Sequence, residues 1–150
     1  LKVGVTRTSQ IPTRWIDQGA HQAVGILEVP NRYLAGIAEV CLKDQFSDKT
    51  NWRKMLQNDH EGVSWKEAIN QAIEGISKDL KRYLINDHKL TELHFPVLQY
   101  PDKVKSLNLE KENSYTGLLI GIKGQYLLFE DQTVYNIRSN EGTVVEITIN

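Results

Sequence analysis

The sequence predicts an α+β protein built from a β-α-β-α module, a long amphipathic helix and a C-terminal antiparallel β meander. Strand-like runs at residues 2–6 and 22–29 alternate with helical patterns in the first third of the chain. Apolar side chains then recur at helical spacing over residues 65–84, and four short strand-like runs follow Tyr115. Helices and strands thus fall into separate blocks after the first third, which is typical of the α+β class.

The first module begins with a strand and a short helix. Residues 2–6 (KVGVT) are rich in β-branched side chains, which favour strands. Ser9 and Pro12 supply the chemistry of a helix start, and Gly19 is a helix stop signal. We therefore expect a strand followed by a helix that ends at Gln18.

A second strand and a second helix complete this module. Residues 22–29 (QAVGILEV) form the strand, and Pro30 ends it. Asn31 is a helix N-cap residue. The following helix carries one continuous stripe at helical period, made of Leu34, Ile37, Ala38, Cys41, Leu42 and Gln45. We expect this stripe to pack against the two strands.

Beyond the module the pattern is first helical and then extended. Residues 51–56 predict a short helix, and residues 64–67 (SWKE) match a capping box that begins the long amphipathic helix. Residues 91–99 are extended, with Pro96 favouring a sheet edge, and residues 102–113 are a charged linker. The four strands predicted for the meander are TGLLIGI, QYLLFE, TVYNIR and TVVEITI.

These elements divide the chain into three regions, at residues 1–63, 64–99 and 100–150. The chain opens in what reads as the interior of a strand, so we expect the first module to continue upstream of Leu1. No window approaches the roughly 18 consecutive apolar residues of a membrane span, and no membrane partner is expected. Cys41 has no second cysteine to pair with, which fits a reducing, cytoplasmic compartment.

Charge is distributed unevenly along the chain. The net charge is −1, which gives no global case for nucleic-acid binding. Residues 1–56 carry eight Lys and Arg against five Asp and Glu, whereas residues 57–150 carry ten against fourteen. The first third is therefore the part in which phosphate binding is expected.

The stretch KVGVTRTSQIPTRW, followed after one strand by a helix that carries Glu39, resembles the second half of the GIY-YIG nuclease module. In that module a strand with a Tyr-Ile-Gly-like motif leads into a helix bearing an arginine, and a later helix supplies a metal-binding glutamate. The resemblance covers roughly residues 1–56. It places Lys2 at the motif tyrosine, Arg14 at the arginine and Glu39 at the glutamate.

The same residues, together with the segments RWIDQGA, TNWRKML, GIKGQYLLF and YNIR, are similar to an uncharacterised bacterial family of unknown function. Its members place a cysteine-rich segment upstream of a GIY-YIG-like module. This second resemblance covers nearly the whole chain, and it implies relatives rather than an activity.

The GIY-YIG resemblance implies Mg²⁺-dependent, endonuclease-like hydrolysis of DNA or RNA. Glu39 would hold the metal ion and Arg14 would stabilise the charge that develops on the scissile phosphate. Lys2 and Asn51 complete the catalytic candidates, since Asn51 lies near where active members of the superfamily place an asparagine. The phosphate-binding candidates share a cationic side chain and are Arg7, Arg14 and Arg53.

Each of these residues also has an interpretation without function. Glu39 lies four residues before Lys43, as in a solvated intrahelical ion pair, and Arg14 can stack on Trp15. Two functions therefore stay open. One is a nucleic-acid-binding or nucleic-acid-cleaving protein, and the other is a non-catalytic interaction or scaffold domain that retains only the fold. The lysine at the motif-tyrosine position favours the second.

Aromatic residues have two interpretations as well. Trp52 and Trp65 are interpreted as core anchors rather than stacking platforms. The meander carries a mix that small β-barrels use to bind single-stranded nucleic acid, namely Tyr115, Tyr126, Tyr135, Lys123 and Arg138. Because this half of the chain is acidic, we favour a sheet that only packs on the long helix.

Overall fold

The computed structural model describes residues 1–47, 49–60 and 62–149. The α-helices are α1 (Thr13–Asp17), α2 (Arg32–Leu42), α3 (Trp52–Leu56), α4 (Trp65–Gly75) and α5 (Leu109–Glu112). The strands are β1 (Gln22–Ala23), β2 (Thr91–Glu92), β3 (Lys105–Ser106), β4 (Leu119–Lys123), β5 (Tyr126–Phe129) and β6 (Thr133–Asn136). Turns of 3-10 helix cover Thr8–Gln10, Lys78–Tyr83 and Arg138–Asn140. This mixture confirms the α+β class, and none of the helices in the described ranges has the length and hydropathy of a membrane span.

Two helices begin at the cap residues that the sequence indicates, Asn31 and Ser64, and Asn51, predicted as the first residue of a helix, is the cap of α3. The Asn31 side chain accepts a hydrogen bond from Leu34 N at 3.0 Å, and Asn51 accepts one from Lys54 N at 3.2 Å. The Ser64 hydroxyl accepts one from Glu67 N at 3.4 Å. Each cap satisfies a backbone N–H that has no partner within its helix, so local chemistry is sufficient to fix these starts.

The two strands predicted in the first module are much shorter than their sequence patterns. Residues 2–6 form no strand, because Lys2 and Val3 make only an isolated parallel bridge with Ser47. The run over residues 22–29 pairs with two separate segments, β2 at one end and residues 83–85 at the other. A strand needs a continuous partner for its ladder, and neither partner extends far enough.

The long amphipathic helix ends earlier than predicted. Helix α4 stops at Gly75, Ile76 adopts an extended conformation, and a 3-10 turn follows Ser77. A Cβ at residue 75 would meet the carboxamide of the exposed Gln45, so a larger side chain here requires Gln45 to move. The predicted apolar residues beyond the end of the helix still face the core, since Ile76 and Leu80 are buried.

The C-terminal sheet has the strand order β3-β6-β5-β4. Strands β4, β5 and β6 form the predicted antiparallel meander, and β3 pairs parallel to β6. The segment predicted as a linker therefore contributes a strand and helix α5. The fourth predicted strand does not form, since residues 143–149 are exposed and carry no strand, with Val144 96% exposed.

Two apolar clusters hold the described residues together. The first joins α2 to the stretch that begins with α4 and contains Ala38, Leu42, Phe46, Ala72, Ile76 and Leu80. The second joins α3 to the meander through Leu56, Leu128 and Val134. The sheet thus packs on α3, which corrects the expectation that it packs on the long helix.

The turn between β4 and β5 docks on the end of α1. Gly124 in this turn has φ +58°, a left-handed conformation that favours glycine. A Cβ at this position would lie 3.0 Å from the carbonyl oxygen of Asp17 and close to the backbone of Gly19. This close approach brings the meander beside α1 and α3 and forms one wall of a cleft.

Candidate functional site

A cleft of about 460 Å³ opens where the end of α1, the start of α3 and the β4–β5 hairpin meet. Its polar lining consists of Lys2, Asp17, Gln18, Lys49, Thr50 and Gln125. Its remaining wall is formed by Trp52, Met55 and Tyr126. The cleft therefore combines cationic, amide and aromatic groups that come from distant parts of the sequence.

The ammonium group of Lys2 is held in place at this cleft. It donates hydrogen bonds to Gln18 Oε1 at 2.7 Å and to Thr50 Oγ1 at 3.2 Å. The backbone of the same segment is fixed by the hydrogen bond from Val3 N to Ser47 O at 3.1 Å. Among the described residues of the lining, Lys49 adds a second cation and Asp17 contributes a carboxylate. The charges on the lining favour an anionic ligand.

The aromatic wall is built from two stacked rings. The planes of Trp52 and Tyr126 are inclined by 6°, and their centroids are 5.9 Å apart. The Arg53 guanidinium lies over the Trp52 ring, 4.3 Å from its centroid. Both rings also pack against the Leu56 cluster, which confirms that Trp52 anchors the core. The pair is therefore anchored on the core and still borders the cleft.

Two predicted site residues lie beside this lining. Arg14 is half-buried on α1 and precedes Asp17 and Gln18 by three and four residues, a spacing that puts all three on one helix face. Asn51 stands between the lining residues Thr50 and Trp52. Its side-chain oxygen accepts the hydrogen bond that caps α3, which fixes the orientation of the carboxamide.

Glu39 and Arg7 lie outside the lining of the cleft. Glu39 is half-buried on α2, and within the described ranges it makes no ion pair with Lys43. Arg7 is exposed just before the first 3-10 turn. Of the predicted site residues, Lys2 lines the cleft, whereas Arg14, Asn51 and Arg53 are neighbours of lining residues. A shared site that also includes Glu39 stays a prediction.

A resident metal centre does not fit the donor groups of the described chain. Within residues 1–47, 49–60 and 62–149, no three His, Cys, Asp or Glu side chains are arranged to hold a metal ion. Mg²⁺ in phosphate-processing sites is often bound by one or two carboxylates together with substrate phosphates and water. Glu39 would fit only that looser role, as a single carboxylate for an ion brought with the substrate.

A second group of ionisable side chains, made of His21, His60 and Lys123, lies away from the cleft lining. The rings of His21 and His60 stack with centroids 4.1 Å apart. Lys123 is only 1% exposed; its ammonium donates to Asn58 Oδ1 at 2.8 Å and lies over the Phe95 and Tyr100 rings. Burial lowers the pKa of Lys123 to about 8.

Acid is expected to destabilise the fold through His21. Burial first, and then the positive charges of His60 and Lys123, lower the pKa of His21, and Glu92 opposes this shift. The unfolded chain therefore binds a proton more readily, so stability is retained above the ordinary pKa of about 6.5 and falls as the pH drops below it. Urea unfolding at a series of pH values measures this loss.

The matched variants for this prediction are His21→Gln and His94→Gln. His94 is exposed in the segment after β2 and serves as the control. The first substitution should flatten the acid limb of the stability profile, and the second should leave it unchanged. An identical acid limb in His21→Gln and the unmodified chain would contradict the assignment.

Sequence patterns gave no sign of several cleft residues. Lys49, Thr50 and Gln125 lie in loops or turns without a motif, and only the bridge between Lys2 and Ser47 and the docking of the hairpin bring them together. Lys123, one of the meander residues suited by type to nucleic-acid binding, is buried and therefore not available at the surface. The alternation along β4 was the available signal, since Gly121 and Lys123 share its inner face.

Comparison with known proteins identifies a family. A family model described as "Protein of unknown function (DUF2797)" matches residues 1–145. No curated protein and no solved structure matches the chain.

Proposed function

The chain belongs to the DUF2797 family of proteins of unknown function, and from this starting point we propose that its cleft binds the phosphate backbone of nucleic acid. The observation that carries the proposal is the fixed ammonium group of Lys2 beside Lys49, with Arg53 on the adjoining aromatic wall. Cations next to aromatic rings are the usual composition of surfaces that follow a nucleic-acid strand.

The wider proposal is descent from the GIY-YIG nuclease fold. Arg14, on the face of α1 that borders the cleft, would contact the same phosphate, and Glu39 would hold Mg²⁺ for phosphodiester hydrolysis. Arg7 would add a more distant phosphate contact. The order of the Arg14 helix, the next extended segment and the Glu39 helix supports this ancestry.

A non-catalytic role is the second candidate, and three hydrogen bonds favour it. Lys2 donates to Gln18 and Thr50, and Asn51 accepts from the backbone of Lys54, so two of the candidate catalytic residues already make contacts that serve the fold. An interaction domain that retains the shape of a nuclease would use them in this way. Binding without cleavage is therefore the first activity to test.

The double substitution of Lys2 and Lys49 by alanine is expected to weaken binding of DNA and RNA and to lower its salt dependence. Each lost phosphate contact should reduce the slope of log affinity against log salt by about 1. Fluorescence anisotropy over a range of salt concentrations measures both quantities. The matched control replaces Lys66 and Lys78, which are exposed and do not line the cleft.

Equal losses in the two double variants would mean that binding is not localised to the cleft. If the unmodified chain binds no nucleic acid, the proposal is wrong, and the non-catalytic interaction domain is the candidate that remains. A separate incubation with Mg²⁺ tests hydrolysis. Cleavage that disappears in Glu39→Gln and persists in Glu67→Gln, a variant of an exposed residue on α4, would rule out the non-catalytic role.

A further inference from the structure

We infer that the cleft takes an unpaired nucleotide, with its base on the Tyr126 ring of the stacked pair of Trp52 and Tyr126, and that the protein therefore prefers single strands to duplex. This inference rests on the proposed function, because it assumes that the same cleft binds the phosphate. It goes beyond that function by naming the form of nucleic acid.

The geometry of the aromatic wall carries the inference. Trp52 and Tyr126 lie nearly parallel at the edge of the cleft and are held there by the Leu56 cluster. A preformed aromatic surface loses little conformational entropy when a base contacts it. Every base presents a π-face, so contact with such a surface tolerates any sequence. In a duplex those faces are already covered by neighbouring base pairs, which leaves only unpaired bases available.

The size and charge of the cleft agree with one nucleotide. Its volume of about 460 Å³ falls within the range of roughly 300–1,000 Å³ that is common for small-molecule sites. Lys2 and Lys49 belong to the same lining as the two rings. A single nucleotide can therefore place its phosphate on the cations and its base on the aromatic wall at the same time.

The test compares Tyr126→Leu with Tyr126→Phe. Leucine keeps apolar volume against the Leu56 cluster but removes the ring, whereas phenylalanine keeps the ring. Anisotropy is measured with oligothymidylate, oligouridylate and a DNA duplex, and thymidine monophosphate is added as a competitor. We expect Tyr126→Leu to weaken binding of both single strands by about 5-fold or more, with Tyr126→Phe close to the unmodified chain and duplex affinity unchanged.

The outcomes separate this inference from the proposed function. Equal affinity of the unmodified chain for single strand and duplex, with binding still dependent on Lys2 and Lys49, would overturn the inference and leave the function standing. Absence of any nucleic-acid binding would overturn both. Competition by thymidine monophosphate at comparable concentration would support the unpaired nucleotide and identify a free nucleotide as its source. The strand preference of the unmodified chain tests the inference even where Tyr126→Leu fails to fold.

Discussion

Replacement of Leu56 by alanine is expected to lower the free energy of unfolding by about 2–5 kcal/mol. Leu56 is 0% exposed and lies at the centre of the cluster that joins α3 to the meander, in contact with the layer formed by Leu128 and Val134. Truncation removes buried methyl groups and leaves a cavity, because the sheet and the helix cannot both move inward. Urea unfolding followed by circular dichroism measures the change.

Leu98→Ala is the matched control for this prediction. Leu98 loses the same atoms, but it is 88% exposed, so its change in stability should stay within about 0.5 kcal/mol. A loss of similar size in both variants would show that Leu56 is not the buried contact between α3 and the meander. If only Leu56→Ala loses stability, this variant should also bind nucleic acid more weakly at urea concentrations close to its unfolding midpoint. The reason is that Trp52 and Tyr126 pack on the same cluster as Leu56.

The helix starts could be predicted from the sequence because their causes are local. Asn31, Asn51 and Ser64 each act within three residues of their position, so the printed order of residues contains the whole interaction. The antiparallel meander was predictable for a similar reason. Its turns are short, and β4, β5 and β6 follow one another directly.

Elements that depend on distant partners could not be predicted. The patterns at residues 2–6 and 143–149 are typical of strands, yet strand formation needs a neighbouring ladder that the sequence does not identify. Strand β3 shows the converse, because a charged segment becomes part of the sheet by pairing with β6. The early end of the long helix, by contrast, has a local cause that the sequence shows, because Gly75 is a poor helix former.

The candidate site also combines residues that could be recognised locally with residues that only tertiary packing brings together. Residue types suited to phosphate could be recognised in the first third, and Lys2 does line the cleft. The opposite wall comes from the hairpin more than a hundred residues later, and only the close approach of Gly124 to α1 creates it. The sequence analysis names Tyr126 among the meander residues suited to nucleic acid, but its place beside Lys2 depends on tertiary packing.

Lys123→Met is expected to abolish a rise in stability between about pH 8 and pH 10. In the folded chain burial lowers the pKa of Lys123 from 10.5 to about 8. Its hydrogen bond to Asn58 and the nearby aromatic rings favour the charged form, but they do not offset the loss of hydration. The buried ammonium thus keeps a net cost while it is protonated.

The sign of the effect follows from proton binding in the two states. Between about pH 8 and 10 the folded chain has released the Lys123 proton and the unfolded chain still holds it, so unfolding takes up a proton. Stability therefore rises with pH across this window, by at most about 3 kcal/mol at roughly 1.4 kcal/mol per pKa unit. Below about pH 8 the lysine is protonated in both states and contributes no slope.

Methionine has a similar length and no charge, so the variant should lose this slope while it retains the packing of β4. Lys66→Met is the matched control, since Lys66 is exposed on α4 and should leave the slope unchanged. A second measurement comes from His21, whose pKa is lowered in part by Lys123. NMR titration of His21 should show its pKa moving upward in Lys123→Met. A retained alkaline slope together with an unmoved His21 would mean that Lys123 is not a buried cation.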